Sequence, residues 1–158
     1  MWHWLLDFLL IVCLFLFMID KLTFLWVRRC YDIFYSFVVY ADGYLIFVDI
    51  DDFKSFNERF GHRTGDSILR KIGLILLRES YFRGFRYGGD ELVVLLPWSK
   101  KKKANELAER VRLEVEKANI GGLGVTVSCA VVRHEEDASE FLRMAKRDGK
   151  NCVVFLET

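Results

Sequence analysis

The sequence predicts an α/β domain of the α+β kind, with a ferredoxin-like β-α-α-β-β-α-β-α-β order, a mainly antiparallel central sheet and an apolar helix in front. Three observations predict it. β-Prone runs at 44–50, 82–87, 92–97, 125–132 and 152–156 alternate with stretches of helical periodicity. Gly88-Gly89-Asp90-Glu91 joins the second and third runs as a tight turn, which makes them a hairpin. The chain has 158 residues, about one domain at the usual ~100–200, with little room for a second module. In the split β-α-β-β-α-β motif, right-handed crossovers lay the first strand beside the hairpin.

The first element is the apolar segment 1–19, interrupted only by His3 and Asp7. As a helix, Leu5 to Ile19 would span roughly 22 Å, short of a ~30 Å bilayer core. Trp2 and Trp4 at one edge, with Lys21, Arg28 and Arg29 beyond the other, supply an aromatic anchor outside and a positive flank inside. The expectation is a short inner-membrane anchor touching lipid through residues 2–19, with a domain over 20–158 in the cytoplasm. The alternative is a helix that pairs with its own copy in a cytoplasmic protein. A cleaved signal peptide is disfavoured, since a basic n-region and a small-residue cleavage site are both missing.

Residues 20–40 carry charges and aromatics at helical spacing and end in Ala41-Asp42-Gly43, a helix followed by a turn. The run 44–50 closes on Asp49, Asp51 and Asp52, a buried strand with a charged C-terminal edge. From 53 to 79 the pattern is helical, broken at Gly61-His62, with Ile68, Leu69, Ile72, Ile75 and Leu76 on one face. Past the hairpin, Ser99 is the expected N-cap of a helix to Ala118, with Ala104, Leu107, Ala108, Val111 and Val115 facing inward. Lys100 to Lys103 lie in its first turns, where the helix dipole disfavours them, and read as a solvated face. A strand over 125–132, a short helix over 138–148 stopped by Gly149, and a last strand over 152–156 complete the order.

Composition narrows the chemistry. With 23 basic and 22 acidic residues the net charge is +1, which excludes a disordered polyelectrolyte and argues against a nucleic-acid partner held by bulk charge. Cys13, Cys30, Cys129 and Cys152 form no Cys-x-x-Cys pair, and His3, His62 and His134 no ligand cluster. Any metal is therefore held by carboxylates, which favours Mg²⁺ or Mn²⁺. Asp49 at the end of the first strand should face Asp90 and Glu91 at the hairpin tip. Such acids without an internal cation suit a divalent ion, and on neighbouring strands they suit two-metal phosphoryl transfer. Gly88 and Gly89 let backbone approach a phosphate where a Cβ would clash.

Gly88-Gly89-Asp90-Glu91-Leu92, preceded by Arg86-Tyr87, resembles the signature of the GGDEF family of diguanylate cyclases. Asp49-Ile50-Asp51-Asp52-Phe53-Lys54, Asn57, Gly61-His62 and Gly65-Asp66 resemble the family's D-I-D-x-F-K…N-D…G-H…G-D stretch. Asp20-Lys21-Leu22-Thr23 with Arg28-Arg29 is similar to its opening motif, and Val125 to Ser128 and Ala145 to Asn151 to its later strand and closing helix-turn. The resemblance implies a palm fold and the condensation of two GTP into cyclic di-GMP plus two pyrophosphates across a homodimer. It implies two Mg²⁺ (or Mn²⁺) per site on Asp49, the Ile50 carbonyl and Asp90. Glu91 is implied to help activate the 3′-hydroxyl, with a share in the second ion left open. Asn57 and Asp66 would read guanine, since a carboxylate accepts from its N1–H and N2–H₂ face. Backbone amides of Asp52, Phe53 and Lys54, with Lys146 and Lys150, would neutralise the triphosphate. For Asp51 the preferred role is capping its loop, for His62 ordering its turn, and Arg86 is divided between bracing the hairpin and touching nucleotide.

The chain also departs from the family. Where an inhibitory Arg-x-x-Asp product site often stands, Arg78-Glu79-Ser80-Tyr81 has Tyr in place of Asp, so no such site is expected. Phe24 and Val27 replace Gly and Asn in the opening motif, and Leu92 replaces Phe. No carboxylate of the catalytic group is lost. The competing readings are a catalytically idle GTP or cyclic di-GMP receptor, and a palm cyclase that makes another cyclic dinucleotide.

Overall fold

A computed structural model describes residues 6–8, 10 and 15–155. Its centre is β2, Tyr44–Ile50, with all seven residues buried. β4, Glu91–Leu96, and β5, Val127–Val132, flank it antiparallel. β3, Gly84–Arg86, pairs with β4 as the hairpin, and two short strands extend the edges in parallel: β1, Trp26–Val27, on β3 and β6, Val153–Phe155, on β5. The sheet order is β1-β3-β4-β2-β5-β6.

Side chains of a strand alternate between faces, so β2 supplies two cores. Ile46, Val48 and Ile50 join Leu92 and Val94 beneath α3, His62–Glu79, and α4, Lys101–Ala118. Leu45 and Phe47 join Val93 and Leu95 beneath α1, Arg28–Tyr40, and α5, Glu135–Arg147. Both faces are covered, which is why 44–50 reads as one continuous apolar run. Each fully buried aliphatic side chain here is worth about 1.5–3 kcal/mol over its exposed state. The expected stripes are all buried: Ile68, Leu69, Ile72, Ile75 and Leu76 on α3, and Ala104, Leu107, Ala108, Val111 and Val115 on α4. The break at Gly61 also stands, separating α2, Phe53–Phe60, from α3.

Several boundaries differ from expectation. Residues 20–27 form a turn and β1 instead of the start of a helix. The Asp20 carboxylate accepts hydrogen bonds from the Leu22 and Thr23 amides and the Thr23 hydroxyl, offering the backbone a local alternative to the helix. Lys100, not Ser99, is the N-cap of α4, with no side-chain cap. A 3₁₀ turn, Ile120–Gly122, precedes β5, which starts at Val127 rather than 125, and α5 starts three residues before Ala138. In the apolar segment Leu6–Phe8, Leu10 and Phe15–Phe17 are helical, while the expected continuous helix falls partly outside the described residues. Among the described residues no helix is long and apolar enough to cross a membrane.

Candidate active site

The β2–β4 register sets Asp49 opposite Glu91, and the turn before β4 carries Asp90 beside them. Asp49 is only 7% exposed. Burial pushes its carboxyl above the usual range; Lys146 opposes the rise, and the charges of Asp90 and Glu91 add to it. The Lys146 ammonium stands 2.7 Å from Asp49 Oδ1 as an ion pair, the one basic partner of this carboxylate among the described residues. A buried carboxylate with two further acids beside it and a single lysine to offset them is a place where a further cation is favoured. The donors on this edge are all oxygens, as Mg²⁺ or Mn²⁺ prefers. Yet among the described residues no three His, Cys, Asp or Glu side chains stand close enough to share an ion. Asp49, Asp90 and Glu91 share this edge of the sheet, and Lys146 rests on Asp49.

The hairpin tip is braced from behind. The Tyr87 and Gly88 amides both donate to the Glu91 carbonyl. Arg86 donates to the Gly89 carbonyl at 2.8 Å and to both Asp20 carboxylate oxygens at 3.1 Å. Arg86 thus ties the hairpin to the 20–23 turn. Burial alone would raise the Asp20 pKa, but the Thr23 hydrogen bonds and Arg86 outweigh it and hold the group below the usual carboxylate range. A Cβ on Gly88 would come within 2.6 Å of Glu91 Oε2, so glycine there leaves the glutamate its position. Around Gly89 there is open space.

Behind the tip lies a network that the sequence did not announce. The Tyr87 hydroxyl donates to Glu135, the Tyr31 hydroxyl donates to the same carboxylate at 3.0 Å, and Arg28 stacks 4.0 Å over the Tyr87 ring. Burial, with Glu135 beside it, pushes the Tyr87 phenol up to about 12. Aromatic residues at α1 positions 31 and 35 were the only signal.

Asp51 is buried and accepts from the Thr126 and Ser128 hydroxyls at 2.7 Å and from the Asn151 amide at 3.0 Å. It pins the loop after β2 to β5 and the start of β6, as the capping reading expected. Asp52, with φ of +55°, opens α2 and receives Lys150 at 2.7 and 2.8 Å. Phe53 packs against the core, while Lys54 is exposed and points to Glu58 at 3.7 Å. Ile50 is buried at the end of β2.

Asn57 and Asp66 sit on neighbouring helices. The Asn57 side chain lies over Gly65, so close that any Cβ there would collide with its amide. Asp66 follows on the exposed side of α3 in a shallow cleft with Arg63, Ser67 and Arg70. At the other end of α3, Arg78 is engaged by Glu79 and Glu114, both at 2.9 Å.

A family model described as "Diguanylate cyclase, GGDEF domain" matches residues 18–152. Diguanylate cyclase DgcM of Escherichia coli K12 is 39% identical over 127 residues, covering 72% of this chain and 30% of that protein. The uncharacterized protein YhcK of Bacillus subtilis is 35% identical over 130 residues, covering 72% of this chain and 36% of that one. The chain thus spans about a third of the length of these curated relatives. The crystal structure of the GGDEF domain of DgcB from Caulobacter crescentus, in complex with c-di-GMP, superposes with a TM-score of 0.79 at 30% identity, covering 89% of this chain and 94% of that one.

Proposed function

Because the chain belongs to the GGDEF family of diguanylate cyclases, we propose that it joins two GTP molecules into cyclic di-GMP, releasing two pyrophosphates, between two copies that meet face to face. The observation that carries this reading is the buried Asp49, set opposite Glu91 and beside Asp90 with only Lys146 to offset the three acids. Asp49, the Ile50 carbonyl, Asp90 and Glu91 would hold the divalent ions. When bound, Mg²⁺ or Mn²⁺ would polarise the attacking and leaving oxygens of an in-line displacement.

The remaining work falls to the protein. Gly88 and Gly89 have no positive φ, so their lack of a Cβ serves space rather than backbone conformation. That space admits phosphate oxygens against the hairpin amides. The exposed Lys146 and the Lys150 ammonium, resting on Asp49 and Asp52 in this structure, would turn to the triphosphate when cations neutralise those acids. Asn57 and Asp66 would bind the guanine edge, and Glu91 would take the proton from the 3′-hydroxyl as it attacks the partner's α-phosphorus. Residues 2–19 would raise the local concentration of a second copy, through membrane contact or helix pairing.

One observation favours a binding-only receptor: no three acids close on a single point among the described residues. Product analysis separates the readings. Purified protein with GTP and Mg²⁺ should yield cyclic di-GMP by mass spectrometry, and Asp90→Ala should abolish it. GTP binding without product would leave the receptor. Mixed nucleotides giving another cyclic dinucleotide would leave a different palm cyclase. A chain lacking residues 1–19 should match the full chain at high concentration and fall behind when diluted.

A further inference from the structure

The opposite end of the sheet carries a surface that the catalytic reading does not use. β4 runs from Glu91, level with Asp49, to Leu96, level with Tyr44. The loop at Pro97 and Trp98 therefore lies roughly 20 Å from the catalytic edge. There Tyr81, Phe82 and Trp98 are 78%, 68% and 71% exposed. All three have positive φ, +51°, +65° and +52°, a conformation that bulky L side chains rarely hold. Trp98 stands edge-on to Phe37, with ring centroids 5.0 Å apart. Phe37, Phe34, Phe82 and Arg83 line an apolar groove of about 270 Å³.

One residue beyond Trp98, past Ser99, begins the lysine run at the start of α4. Lys100, Lys102 and Lys103 are exposed, and the first turn of the helix holds no acid to offset them. Among the described residues none of these lysines, nor Arg83, has an acidic partner at ion-pair distance, whereas nearby Glu79 is held by Arg78 and Arg110, and Asp42 by Arg133. Glu106 and Glu109, further along α4, are exposed acids bordering the same surface, Glu109 being held by Arg112.

The geometry points to a docking face for the surface of an anionic lipid bilayer, with Tyr81, Phe82 and Trp98 entering the headgroup region and Lys100, Lys102, Lys103 and Arg83 meeting its charge. Two arguments select lipid over protein. Lysine is depleted in protein–protein interfaces, while tryptophan and tyrosine beside lysine are the composition of the membrane–water boundary. The face is also continuous with the apolar segment: Phe15 packs edge-on at 5.6 Å against Trp26, which lines the same groove. Docked this way, the domain keeps its catalytic edge clear of the bilayer.

The test is co-sedimentation of the full chain with vesicles of phosphatidylcholine, and of phosphatidylcholine mixed with phosphatidylglycerol. The wild type should partition more strongly onto the anionic vesicles, less so as salt rises. Each lysine near such a surface contributes roughly fivefold, so the combined Lys100→Gln, Lys102→Gln and Lys103→Gln variant should lose about tenfold or more. Phe82→Ser with Trp98→Ser should weaken binding to both vesicle types. These side chains are exposed, and an unchanged melting temperature would confirm that both variants fold. Wild-type partitioning by both variants would overturn the proposal and assign binding to the apolar segment alone. A fall in sedimentation coefficient without lipid in the aromatic variant would overturn it in favour of contact between two copies.

Discussion

Asp49 is buried beside two further acids with one lysine to offset them, and the charged form is disfavoured on balance. A carboxyl whose pKa is raised by folding stabilises the fold below its unfolded value and loses that contribution as pH rises through the folded value. Asp49→Asn should therefore raise the stability of the metal-free protein by about 1 kcal/mol at neutral pH, with the gain vanishing below about pH 4. Urea melts at two pH values would check this, and a loss at neutral pH would contradict it. Asp20 has the opposite sign. Its lowered pKa contributes stability above the unfolded value and loses it as pH falls through the folded one. Asp20→Asn should cost about 2 kcal/mol at neutral pH, the scale of a hydrogen-bonded ion pair, and the difference should close in acid. The two aspartates look alike in sequence; only their partners give them opposite roles.

At the scale of elements, two glycines let helices approach their neighbours. A Cβ on Gly65 would collide with Asn57, so Gly65→Ala should displace that amide. The variant should fold, and its GTP affinity should fall by about tenfold, measured by calorimetry with a non-hydrolysable analogue. A Cβ on Gly73 would stand 2.8 Å from the Thr23 side chain, pressing α3 away from the turn that holds Asp20. Gly73→Ala should destabilise the protein by about 1–3 kcal/mol, the usual cost of overpacking, visible as a lower denaturation midpoint. Periodicity marked the buried stripes of α3 and α4 well, because a helix facing a sheet needs an apolar row every third or fourth residue. It failed at 20–27, where a carboxylate with three local donors and a distant arginine overrode helical spacing.

For the whole molecule, the β2–β4 register sets Asp49 opposite Glu91, with Asp90 in the turn beside them. If two copies must each supply a GTP, specific activity should fall on dilution. Excess Asp90→Ala protein should suppress wild-type turnover by several-fold through mixed pairs. Turnover per molecule that is independent of concentration and unaffected by the variant would argue for a preformed tight pair or a single-copy reaction.

The residue types in order along the chain determined much here: a strand ending in acids, a Gly-Gly-Asp-Glu hairpin, two amphipathic helices, and Asn57 and Asp66 spaced across Gly61. Those are local patterns, and local patterns survive in sequence because pleat, helix pitch and turn conformation repeat over a few residues. What the tertiary structure alone decided is who meets whom. Lys146 rests on Asp49, Arg86 reaches Asp20, Tyr87 meets Tyr31 through Glu135, and Asp51 is spent on Thr126 and Ser128. Each of these contacts joins residues 48 to 104 positions apart. Such separations carry no periodic signal, and only the packing of helices on both faces of one sheet brings them together.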